Sequence, residues 1–141
     1  MNITLRELET YEEMLPHLSL INQLNPGLNK EDYARMLREM LKQGYRMVAV
    51  FDEERCVGLS GFWIGTKLYC DKYLEPDNVV IDKEYRSKGI GKLLLDWLEI
   101  EARKNSCRML MLDAYSENFA GHKFYFREGF ILRGFHFLKK L

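Results

Sequence analysis

Residues 78–104, NVVIDKEYRSKGIGKLLLDWLEIEARK, pass from an apolar run through a basic turn into an amphipathic segment. Residues 78–82 read as a short strand, and residues 85–92 as a glycine-bearing turn. A strong helix then runs to about residue 104, with Ile90, Leu94, Trp97, Leu98 and Ala102 on one face. A helix N-terminus carries unpaired N–H groups and the positive end of a dipole, which together make an anion site. Gly89 and Gly91 let the backbone come close to a bulky phosphate. Gly91 in the first turn costs up to about 1 kcal/mol relative to alanine, so it invites a compensating reason. Lys88 and Lys92 sit where the dipole disfavours cations, a conflict that a bound anion removes. The plain alternative is a strand-to-helix turn with solvated charges. Two familiar nucleotide motifs fail here. Leu93 stands where the P-loop needs serine or threonine, and the dinucleotide fingerprint needs a glycine at Leu94.

Working outward, residues 3–8 alternate as a half-buried strand. Thr10 and Glu13 form a capping box that opens a helix over residues 11–24, which Pro16 bends or delays. After the Asn25-Pro26-Gly27 turn, Asn29 caps a second helix, residues 30–43, ended by Gly44. Residues 45–52 and 56–64 predict two strands of a hairpin. Residues 65–76 read poorly, with a short strand around residues 68–70, and Pro76 interrupts the chain between Glu75 and Asp77. Residues 109–114 predict a strand, 118–127 a helix and 130–138 a last strand. This order predicts one α/β domain over residues 1–141, its sheet mostly antiparallel with helices on both faces.

The chain has 141 residues, with 21 Lys and Arg against 21 Asp and Glu. Zero net charge argues against nucleic acid or an anionic membrane as partner. Cys56, Cys70 and Cys107 lack zinc or disulfide spacing, so reduced thiols and no metal are expected. The charged start, residues 1–10, does not read as a signal peptide, and no apolar stretch is long enough to span a bilayer. A cytoplasmic protein is the expectation.

The run Val79-Val80-Ile81 followed by Tyr85-Arg86-Ser87-Lys88-Gly89-Ile90-Gly91 resembles the acyl-CoA signature [QR]-x-x-G-x-[GA] of the GNAT superfamily of N-acetyltransferases. Residues 118–130, NFAGHKFYFREGF, look like that family's later motif, an asparagine opening a helix that ends in F-Y-x-x-x-G-F. The two motifs stand in register on the expected elements over residues 77–138.

The resemblance implies acetyl-CoA as acyl donor, held where two parallel strands, residues 78–82 and 109–114, splay apart. Val79, Val80 and Ile81 would meet the pantetheine arm, with the Val79 N–H as oxyanion donor. Arg86, Ser87, Lys88, Gly89, Ile90, Gly91 and Lys92 would form the diphosphate turn. Asn118 would contact the pantetheine, and it also reads as a helix N-cap. Tyr125 aligns with the tyrosine that protonates the leaving sulfur, although core packing beside Phe124 and Phe126 is the plain reading. Glu75 is the candidate general base, with Asp77 or water as alternatives. Two departures stand out: Gly121 replaces a common alanine, and Ser87 replaces a frequent glycine, which is tolerable if its dihedrals are ordinary.

The resemblance implies an amine of a small molecule or peptide as the acceptor. Its surroundings would draw on Tyr11, Met14, His17, Tyr33, Met36, Met40, Tyr69 and Tyr73, which serve equally well as core. His122 reads as a helix-surface residue. Family members are often dimers, so the resemblance allows a homodimer. The competing reading is an acyl-CoA-binding sensor or partner module without turnover.

Overall fold

Thr10 accepts a hydrogen bond from the Glu13 N–H at 3.1 Å, so the capping box opens a helix where the sequence places one. That helix does not run on. In the computed structural model, which describes residues 1–141, α1 (Tyr11–Met14) gives way to a 3-10 turn (Leu15–His17) and then α2 (Leu18–Ile21). Pro16 lies inside that turn; its missing N–H and its ring explain the break. Asn29 caps α3 (Lys30–Lys42) through the Asp32 N–H at 2.8 Å. The chain divides into two compact units, Met1–Met111 and Leu112–Leu141.

In the first unit a five-stranded sheet has the order β1-β2-β3-β4-β5. Its strands are β1 (Ile3–Leu8), β2 (Arg46–Asp52), β3 (Arg55–Lys67), β4 (Asp71–Ile81) and β5 (Met109–Leu110). The first three ladders are antiparallel and the β4–β5 ladder is parallel. Between β4 and β5 come a 3-10 turn (Lys83–Tyr85) and α4 (Ile90–Lys104).

Strand alternation divides the core. Met47, Ala49 and Phe51 of β2 join Met14, Leu20, Ile21, Tyr33 and Leu37 of the first three helices. Val48 and Val50 face the opposite side and are fully buried. There α4 packs, placing Trp97 edge-on to Phe62 with ring centres 5.8 Å apart and Ile90 beside Gly58. Burying each such apolar side chain contributes about 1.5–3 kcal/mol, which is why the central strands are apolar on both faces.

Three strand expectations change. The hairpin of β3 and β4 absorbs residues 65–76, and β4 continues through Pro76, which pairs with Phe62. The β5 ladder on the other edge of β4 reaches only Leu74, and a proline beyond it breaks no β4–β5 bond. The second unit contains one helix, α5 (Phe119–Arg127), and residues 130–138 form no strand. A strand requires a partner for its backbone groups, and that unit contains no other strand. For the same reason the strand expected over residues 109–114 shortens to the two residues that pair.

Candidate functional site

Pairing of β4 with β3 spans the strand, whereas pairing with β5 stops at Leu74, where the Met111 N–H donates to the Leu74 carbonyl at 3.2 Å. From Glu75 to Ile81 the edge of β4 toward β5 is outside that ladder. In the same segment the register against β3 shifts, from Leu59↔Val80 to Gly61↔Asp77. The shift is a bulge, and Asn78 takes φ +58° within it. The bulge inverts alternation, so Glu75, Asp77 and Val80 share one face. The Trp63 indole N–H donates to Asp77 Oδ2 at 2.9 Å, and Glu75 pairs across the strands with Trp63. Both carboxylates are half-buried.

After β4 the chain is fastened at three points. Asp82 Oδ1 accepts from the Glu84 N–H at 2.9 Å, and its Oδ2 accepts from Arg55 at 3.1 Å. These bonds, led by the Glu84 N–H, hold the Asp82 carboxyl below the usual range. The Tyr85 hydroxyl donates to Asp52 Oδ2 at 2.7 Å and lowers that carboxyl too. Gln23, just after α2, accepts from the Lys83 N–H at 2.9 Å. None of Asp52, Arg55, Gln23 or Asp82 stood out in the sequence. Their partners lie far along the chain, and no short motif encodes them.

The turn that leads into α4 departs from ordinary dihedrals at two residues. Ser87 has φ +63° and Gly89 has φ +83°. Ser87 is therefore left-handed rather than ordinary, a conformation that costs an L residue roughly 1–2 kcal/mol. Gly89 occupies the N-cap position of α4, and no side chain caps that end. The first N–H groups of α4 thus lack both an intrahelical and a side-chain partner. Ser87, Lys88 and Gly89 are exposed. Both lysines have partners within the chain: Lys88 lies over the Tyr85 ring at 5.0 Å, and Lys92 pairs with Asp96 at 3.0 Å. Arg86 turns back to the Ile81 carbonyl at 3.4 Å.

Of the residues considered for an acceptor, Met14 and Tyr33 are core, joined by the Tyr33 hydroxyl donating to the Met14 carbonyl at 2.9 Å. The Tyr73 ring lies across Gly65, where a side chain would collide with it. No group of three or more His, Cys, Asp or Glu side chains is arranged to hold a metal ion. No helix is long and apolar enough to cross a membrane.

In the second unit Asn118 Oδ1 accepts from the Gly121 N–H at 3.0 Å, capping α5. A Cβ at residue 121 would press on that carboxamide, which accounts for the glycine. Tyr125 packs between Phe124 and Phe130, with ring centres at 5.3 and 5.6 Å, and burial raises its hydroxyl pKa. Gly129, at φ +94°, ends the helix. His122 Nε2 lies 2.8 Å from the Tyr115 carbonyl, so this imidazole braces the loop before α5.

The profile of the acetyltransferase (GNAT) family matches residues 9–130. The uncharacterized N-acetyltransferase YhdJ of Bacillus subtilis is 26% identical over 139 residues, which cover 97% of this chain and 98% of that protein. Among solved structures, glucosamine-6-phosphate N-acetyltransferase from Arabidopsis thaliana is similar with a TM-score of 0.77 and 22% identity, 99% of each chain being covered. AAC(6')-Iy, solved with the bisubstrate analogue CoA-S-monomethyl-acetylneamine, reaches a TM-score of 0.83 at 19% identity over 100% of both chains. A matched profile over most of the chain, on a mixed sheet whose β4 leads into an uncapped, glycine-opened helix, has one reading: this protein is an acyltransferase that belongs to the acetyltransferase (GNAT) family.

Proposed function

We propose that the protein transfers acetyl from acetyl-CoA to an amine of a small molecule or peptide, by direct attack while both substrates are bound. The observation that carries this reading is the end of β4: an edge free of the β5 ladder beyond Leu74, followed by a helix N-terminus that no side chain caps. An extended amide-bearing arm suits the former, and a diphosphate suits the latter. In this reading Val79, Val80 and Ile81 receive the pantetheine arm. The backbone from Ser87 to Lys92, with Arg86 beside it, receives the diphosphate. Asn118 takes the pantetheine contact by its place in the family motif, in addition to capping α5.

The chemistry then sets each role. An alkylammonium with a pKa near 10 must lose its proton before its nitrogen can attack the thioester carbon. Glu75, half-buried on β4, is assigned that proton. As the C–N bond forms, the carbonyl oxygen gains charge, and the Val79 N–H is assigned to it. The C–S bond then breaks, and the thiolate takes a proton from Tyr125. Tyr125 carries its proton at neutral pH, since an ordinary phenol pKa is near 10 and burial raises it further.

Tyr125→Phe tests the assignment against a panel of small amines and peptides with free N-termini, with CoA thiol release as the readout. The expected result is a fall in kcat of about 100-fold or more with unchanged affinity for CoA. Full kcat in the variant would remove Tyr125 from the reaction. Absence of turnover by the wild-type protein on the whole panel would favour a binding module.

A further inference from the structure

We propose that Tyr45 is a positioning residue that holds the β4 bulge in the conformation acetyl-CoA binding requires; the cofactor half of this rests on the reading of β4 given above. Tyr45 stands just before β2 and is 3% exposed, in the core beneath the first three helices. Its ring occupies the space above Gly61, where any Cβ would collide with the ring and hydroxyl. Gly61 is the residue paired with Asp77 on the far side of the register shift. The ring packs tilted on Trp63 at 5.1 Å, and Trp63 holds Asp77. The Tyr45 hydroxyl in turn accepts a hydrogen bond from Asn78 Nδ2 at 3.2 Å.

The two residues at the bulge are therefore fastened to one aromatic pair, Asp77 by Trp63 and Asn78 by Tyr45. Asparagine enters the left-handed region more readily than most L residues, but the conformation still costs free energy and persists only where the surroundings hold it. The β5 ladder ends at Leu74, so the hold comes from the β2–β3 side. A slip of this bulge would invert the facing of Val79 and Val80 and move the backbone groups assigned to the pantetheine arm.

The test is a cycle of Tyr45→Phe, Asn78→Gly and the double variant. Tyr45→Phe keeps the ring over Gly61 and removes one oxygen. The expected result is a near wild-type melting temperature, faster amide exchange at Val79 and Val80 without ligand, and acetyl-CoA affinity lowered by roughly 3–10-fold in calorimetry. In the Asn78→Gly background, where glycine takes the left-handed φ freely, Tyr45→Phe should cost no affinity. Equal losses in both backgrounds, or unchanged exchange at residues 79–80, would overturn the proposal and leave Tyr45 a packing residue. If the wild-type protein bound no acetyl-CoA, the reading of β4 would fall with the cofactor half of the proposal. The exchange data would still decide whether Tyr45 holds the bulge.

Discussion

Gly91 lies in the first turn of α4, where a glutamate would meet two opposite demands. A carboxylate there complements the helix dipole, and glutamate is a better helix former than glycine. Gly91→Glu should therefore raise stability by up to about 1 kcal/mol. The same carboxylate would face the diphosphate, so acetyl-CoA affinity should fall at least about tenfold. Calorimetry and a denaturant curve on one variant read both effects. A stabilised variant with unchanged affinity would place the diphosphate elsewhere. Ser87 makes the complementary point about single residues. The resemblance places a frequent glycine there, and a φ of +63° suits glycine, yet the serine type alone does not reveal the dihedral.

Among the elements, Arg46 ties β1, β2 and α4 together. Its guanidinium donates to both Glu7 oxygens at 2.8 and 2.7 Å and to Glu101 at 2.7 Å, and it lies 4.8 Å from the Phe62 ring centre. The Arg46 contact holds the Glu101 carboxyl below the usual range. Arg46→Met would leave two half-buried carboxylates facing each other, and a loss of about 2–3 kcal/mol is expected by chemical denaturation. Glu101→Gln in the Arg46→Met background should recover part of it; equal stability of wild type and Arg46→Met would show the cluster to be ornamental. The elements differ in how readable they are. Helices α3 and α4 declare themselves by apolar spacing and end signals, because their faces pack on the sheet. The length of β4 is hidden, since a proline inside a strand is acceptable only when one edge is free of a ladder, which is a property of the neighbour. Likewise residues 130–138 are apolar enough to read as a strand, but composition cannot supply a partner. The glycine-bearing turn before α4 is legible in the sequence; its anchors, Asp52, Arg55 and Gln23, are not, because each acts across the fold.

For the whole molecule, acid should act in two steps. Burial lowers the pKa of His17 from its ordinary 6.5, with its ring edge-on to Phe51 at 6.2 Å. The unfolded chain then binds that proton first, so stability falls as pH drops below about 6.5. Asp52, Asp82 and Glu101 are depressed by their hydrogen bonds, so their contribution is present above the ordinary carboxylate pKa and is lost as pH falls from about 4.5 through their folded values. Melting curves against pH should show both declines, and His17→Gln should lack the first; a first decline that survives the substitution would assign it to another group. The central claim, that the end of β4 and the start of α4 receive acetyl-CoA, is tested most directly by melting the protein with acetyl-CoA, CoA and ATP in parallel. A ligand at about a hundred times its Kd that binds only the folded state stabilises it by about 2.7 kcal/mol, a rise of several degrees. Acetyl-CoA and CoA should both produce that rise and ATP should not; no shift with either thioester or thiol at millimolar concentration would place acetyl-CoA binding elsewhere or nowhere on this protein.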